Sequence, residues 1–174
     1  MMLRIELLEI QPTVYRQVIV PASITLPKLH QVIQAAMGWT DSHLHEFGIG
    51  GMRYGTPDPF DDESPESEHR VRLSKTLGQA KVFSYTYDFG DGWKHRVAVE
   101  DTLPIDPASK HSICTGGAQS CPPEDVGGPL GYIISCKRFQ IGPIPNTRPC
   151  ASGMAASLTL APLMSRSRTD GCDA

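Results

Sequence analysis

Along the first twenty residues the apolar positions recur every second place. Leu3, Ile5 and Leu7 alternate with Arg4 and Glu6, which marks a strand with one buried face. Gln11-Pro12-Thr13 interrupts the pattern as a turn, and Val14 to Val20 forms a second β-rich run ended by Pro21. Together they predict an N-terminal β-hairpin. The period then lengthens. Thr25 suits an N-cap, Pro27 is tolerated in a first helical turn, and Leu26, Leu29, Ile33, Ala36 and Met37 share one helical face. Gly38 supplies the stop, so one long helix is expected over about 25–38. Lys28, His30, Gln31 and Gln34 are expected to face solvent. Strand-like segments follow at 43–50, 82–88 and 93–100, and Pro122-Pro123-Glu124-Asp125 reads as a turn opening a short helical piece. The order ββαβ…ββ predicts an α+β fold, with helices packed on a mostly antiparallel sheet.

Two stretches carry neither period. Thr56 to Arg70 holds Pro57, Pro59, Pro65 and the run Asp61-Asp62-Glu63, and reads as a solvated loop. Ile141 to Met164 is rich in Pro, Ser and Ala and lacks the large apolar side chains that offset ordering entropy. Charge shifts at the same place. Residues 1–132 hold 17 acids and 11 bases, whereas 133–174 hold 2 acids and 5 bases. The chain therefore reads as one domain over 1–136 followed by a low-order tail over 137–174.

Length and charge narrow the picture. The 174 residues suffice for one core. No apolar run approaches the roughly 18 residues of a membrane span, and the start lacks the basic and apolar blocks of a signal peptide, so a cytoplasmic protein is expected. Net charge is −3 overall, and the acidic balance of the first 132 residues disfavours direct nucleic-acid binding. A protein or a small ligand is the expected partner. Cys114, Cys121, Cys136, Cys150 and Cys172 are odd in number, which argues for free thiols or a metal site over a disulfide framework.

Three segments hold candidate chemistry. In Tyr87-Asp88-Phe89-Gly90-Asp91-Gly92-Trp93-Lys94-His95, Asp91-Gly92 is a two-residue hairpin signal. That turn would lay Asp88 directly opposite His95, with Cβ atoms about 5 Å apart. A carboxylate beside an imidazole orients the ring and raises its pKa, as for a general base or a support for a metal ligand; the same pair can also simply stabilise a hairpin. Asp88-Phe89-Gly90 matches the kinase metal-binding tripeptide, but the other kinase elements are missing. In Ser42-His43-Leu44-His45-Glu46-Phe47, two histidines two apart on a strand share a face and suit metal ligation or buried hydrogen bonding. In Cys114…Cys121-Pro122-Pro123-Glu124-Asp125, the thiol spacing is not that of a zinc knuckle. A mixed site using Cys114, Cys121 and histidines, or two small buried thiols, both fit. Gly127 to Tyr132 reads as a tight backbone path and lacks the Gly-Lys-Ser/Thr of a phosphate loop.

The segments 21–39, 42–47, 87–95, Cys114 with 121–125, and 127–132 together resemble the plasmid pRiA4b ORF-3-like family, in the family's order. The resemblance implies a bacterial or archaeal cytoplasmic protein, met on plasmids and as a passenger of insertion elements, and sometimes labelled a resolvase. Neither the early serine with its arginines nor the tyrosine with its Arg/His set of recombinases is present. The resemblance stops after Tyr132, where relatives carry an acidic, Trp-containing helical ending. One explanation is a natural flexible tail. The other, favoured here, is a tail translated out of frame, since codon degeneracy permits a Glu-His-Pro…Glu-Trp-Tyr-Gly-Gly…Phe-Asp-Pro reading one base away from Phe139 onward.

Two functional classes follow. The first is a non-catalytic binding or accessory module. The second is a metal-dependent hydrolase in which His43, His45, Asp88, Asp91 and His95 surround a divalent cation and Glu124 or Asp125 serves as base. A third reading is a degraded copy without function.

Overall fold

The computed structural model describes residues 1–101 and 111–138. The expected tail over 137–174 lies outside the described residues from 139 onward. The strands are β1 (Met2–Leu7), β2 (Tyr15–Ile19), β3 (His45–Ile49), β4 (Met52–Gly55), β5 (Glu66–Ser67), β6 (Val82–Tyr87), β7 (Trp93–Asp101) and β8 (Ile113–Ala118). The helices are α1 (Leu26–Met37), α2 (Leu73–Leu77) and α3 (Gly128–Arg138). All eight strands join one sheet in the order β5-β4-β3-β6-β7-β1-β2-β8. Every pairing is antiparallel except the short β4–β5 contact. The fold is α+β, with the expected N-terminal hairpin and a hairpin of β6 and β7.

The period-two pattern decides which face is buried. Leu3, Ile5 and Leu7 are fully buried, while Arg4 and Glu6 pair at 2.7 Å on the other face. The same alternation buries Phe83, Tyr85 and Tyr87 on β6 and Trp93, His95 and Val97 on β7. Register aligns these into rows. Leu7 lies opposite His95, His95 opposite Tyr85, and Tyr85 opposite Phe47. In the next row Trp93 faces Tyr87, and Tyr87 faces His45. Each large side chain withdrawn from water contributes about 1.5–3 kcal/mol, so this aromatic band is the main apolar anchor.

Helix α1 covers the band. Its N-cap Thr25 is extended, Pro27 lies in the first turn, and Gly38 ends it in the left-handed region at φ 82, donating its N–H to Gln34 O. Leu26, Leu29, Ile33 and Met37 are buried as expected. His30 and Gln34 are buried too, contrary to the expected solvated face. Both bond the Tyr85 hydroxyl, at 2.8 and 3.1 Å, because a phenol at the centre of the sheet needs polar partners from the helix above it. Thr25 bridges Arg72, tying the starts of α1 and α2 together.

The glycine path at 127–132 turns into helix α3, unlike its sequence reading. Gly127 and Gly128 have φ of 84 and 66, and a Cβ on Gly128 would meet Asp91 O at 2.3 Å. Only glycine lets α3 begin against the β6–β7 turn. Residue 125 is thereby held beside residue 88.

Candidate functional site

The β6–β7 connection is longer than two residues. Tyr85 pairs with His95 and Tyr87 with Trp93, so the turn comprises Asp88 to Gly92. The predicted pairing of Asp88 with His95 is therefore replaced by Tyr85 with His95. Asp88 itself causes the change. It takes φ 54, and its Oδ1 accepts from the N–H groups of Gly90 and Asp91 at 3.0 and 3.2 Å, while Gly92 N–H donates to Asp88 O. An aspartate that bonds its own turn stabilises this wider loop. Its N–H donates to Leu44 O at 2.9 Å, which places the turn beside the segment entering β3.

That contact assembles a three-residue group. His43 Nε2 lies 3.0 Å from Asp125 Oδ1 and 3.6 Å from Asp88 Oδ2. Neither approach has hydrogen-bond geometry, although the nitrogen is buried. Among the described residues, His43, Asp88 and Asp125 form the sole His/Cys/Asp/Glu group whose ligand atoms all lie within 4.8 Å of one another. Two ligands about 2.1 Å from one cation stand roughly 3–3.5 Å apart at octahedral or tetrahedral angles. The spacing and the one-nitrogen, two-carboxylate donor set suit a divalent transition ion or Mg²⁺. Asp88 is nearly buried, His43 half-buried and Asp125 exposed, so one side of the group is open to solvent.

Glu124, expected to be a base, is the brace of this arrangement. Its Oε1 accepts from Tyr87 OH at 2.5 Å, and its Oε2 accepts from Thr40 N–H at 2.9 Å and Thr40 Oγ1 at 2.6 Å. Partial burial pushes the Glu124 carboxyl upward, but the bonds from Thr40 and Tyr87 outweigh it and hold it below the usual glutamate range. Burial, then the bond to Glu124, raises the Tyr87 phenol to about 12. Tyr87 OH also accepts from Ser42 N–H at 2.9 Å, and its ring meets His43 edge-on at 5.8 Å. Trp39 stacks on Tyr87 at 5.0 Å and donates Nε1–H to Pro122 O at 2.9 Å. The segments 39–43, 87–88 and 122–125 are thus locked together around the group. Thr40, Tyr87 and Trp39 were not singled out from sequence as site residues.

The other predicted residues go elsewhere. His45 stacks on His30, with ring centroids 3.5 Å apart, and its Nε2 lies 3.1 Å from Glu68 Oε2. His30 Nε2 lies 2.6 Å from Asp41 Oδ1. His43 lies in the bend before β3 and His45 opens the strand, so the two neither share a strand face, as expected from sequence, nor a site. His95 is fully buried, with Nδ1 3.2 Å from Tyr85 O. Asp91 Oδ2 accepts from Gly127 N–H at 3.2 Å. Cys121 Sγ contacts Met37 Sδ at 3.3 Å, and burial pushes its thiol up to about 11. Cys114 lies on β8, with its Sγ 3.6 Å from Gly116 O.

No helix among the described residues is long and apolar enough to cross a membrane. Comparison with known proteins agrees with this architecture. The uncharacterized protein y4hQ of Sinorhizobium fredii is 43% identical over 137 residues, covering 78% of this chain and 70% of its own length. The crystal structure of a protein of unknown function, MM3350 from Methanosarcina mazei Go1, superposes with a TM-score of 0.71 at 35% identity, over 80% of each chain. The family model for the plasmid pRiA4b ORF-3-like protein matches residues 1–140, and the chain belongs to that family.

Proposed function

We propose that this protein is a cation-assisted binding module. His43, Asp88 and Asp125 hold one divalent cation, and the cation's open positions take an oxygen-bearing ligand from a small molecule or a partner protein. The observation that carries this reading is His43 Nε2, buried and within 3.6 Å of two carboxylates without a hydrogen bond to either. A cation between the three groups would satisfy all of them at once. The surplus of carboxylates also favours a cation over a phosphate as the first occupant. Binding is preferred to hydrolysis because the two expected bases are engaged: Glu124 in three hydrogen bonds and Asp125 as a ligand.

Isothermal titration of the chelator-treated full chain with Zn²⁺, Mn²⁺ and Mg²⁺ tests this. One equivalent of at least one ion should bind, and His43→Ala and Asp125→Asn should each weaken it by tenfold or more. No binding by the wild type, or equal binding by both variants, would end the proposal.

A further inference from the structure

The buried face of β7 carries two ring nitrogens with no hydrogen-bond partner among the described residues: Trp93 Nε1 and His95 Nε2. Both side chains are fully withdrawn from solvent. Two places apart on one strand, they point to the same face, about 6–7 Å from each other along the chain. The Trp39 indole packs against both, with ring centroids 5.9 Å from Trp93 and 5.4 Å from His95.

The two nitrogens are complementary. The Trp93 indole can only donate. His95 places Nδ1 at 3.2 Å from the Tyr85 carbonyl, so Nδ1 carries the hydrogen and Nε2 presents a lone pair. Burial keeps this ring neutral, which preserves that acceptor. Nearby polar groups have other partners. Trp39 Nε1 donates to Pro122 O, Tyr85 OH meets His30 and Gln34, and Tyr87 OH meets Glu124 and Ser42. One donor and one acceptor are left over, and apolar packing cannot satisfy either.

We infer that a single buried water bridges Trp93 and His95, donating to His95 Nε2 and accepting from Trp93 Nε1–H beneath the Trp39 ring. This water is an internal ligand of the β7 face, independent of the cation proposal. It fixes the His95 tautomer and lets a histidine occupy the centre of an aromatic core.

A crystal structure of the full chain that orders internal water tests the inference, together with water-to-protein NOE and ROE spectra at the Trp93 indole proton. One oxygen at about 2.7–3.2 Å from both nitrogens is expected. So are cross-peaks of opposite sign in the two spectra, the mark of a long-lived water, and their loss in His95→Phe. An oxygen touching only one nitrogen, a protein atom against either, or the absence of cross-peaks in the wild type would overturn it. Should His95→Phe fail to fold, the wild-type density decides alone.

Discussion

Acidification from pH 7 to pH 4 removes stability through His95, and the amount follows from where the ring sits. Its side chain is fully buried with no carboxylate beside it, and burial lowers its pKa from 6.5 to about 4, only partly offset by the backbone groups of Tyr85 and Trp93. In the unfolded chain the ring titrates near its ordinary value. Between the two values the unfolded state binds more protons, so stability falls as pH falls. The contribution is fully present above pH 6.5, declines through the window, and declines no further once the folded ring itself titrates. A gap of roughly 2.5 pH units, at about 1.4 kcal/mol each, gives a loss of about 3 kcal/mol.

Urea denaturation of the wild type and of His95→Phe at pH 7, 6, 5 and 4 measures it. Phenylalanine keeps a ring of similar size and cannot titrate. His30 is also lowered, by burial and then by its neighbour His45, and erodes stability in the same direction in both proteins. The difference between the two pH profiles therefore isolates His95. The wild type should lose about 3 kcal/mol more than the variant over the range. Equal losses, or an NMR titration of His95 with a midpoint above 6.5, would refute the reasoning. The second result would imply an acid beside the ring, as in the tight two-residue turn.

Glu124→Ala removes three partly exposed hydrogen bonds and should cost about 2 kcal/mol in urea denaturation. It should also weaken cation binding in titration calorimetry, since Asp125 loses its brace; an unaltered protein would remove Glu124 from that role. Tyr87, raised from 10 to about 12, contributes stability that is complete below pH 10 and lost as pH climbs toward 12. Phenolate absorbance should locate that titration, and Tyr87→Phe should abolish the corresponding stability loss. Gly128→Ala forces a Cβ onto the Asp91 backbone at φ 66 and should cost about 1–3 kcal/mol, read as a lower thermal midpoint.

The parts of the fold legible in sequence are those where one period runs without interruption. β1 and α1 lie close to their expected places because Leu3, Ile5 and Leu7, and then Leu26, Leu29, Ile33 and Met37, repeat at a single spacing. β8 was missed because Ile-Cys-Thr-Gly-Gly-Ala offers little pattern on its own; its pairing with β2 supplies what the sequence lacks. The turn was misread for a sharper reason. Asp88-Phe89-Gly90-Asp91-Gly92 supports two reversals, and Asp91-Gly92 is the stronger local signal. The wider turn satisfies the Asp88 side chain within the turn itself and keeps Tyr87 and Trp93 facing the core together.

The same distinction explains the site. His43, Asp88 and Asp125 were each visible as candidates, but His45, Asp91 and His95 were placed around the same cation as His43 and Asp88, and Asp125 stood beside Glu124 only as a base. What separates them is the demand of neighbouring groups far away in sequence. Tyr85 draws His30 and Gln34 into the core, and His30 stacks against His45, which lies against Glu68. Glu124 spans 84 residues to reach Thr40 and carries Asp125 to His43. A local motif identifies which side chains can do chemistry. Their convergence depends on long-range partners such as Thr40 and Tyr87, whose residue types announce nothing, so a chain retaining His43, Asp88 and Asp125 but lacking the Glu124 brace should keep its candidate ligands and lose the centre they form.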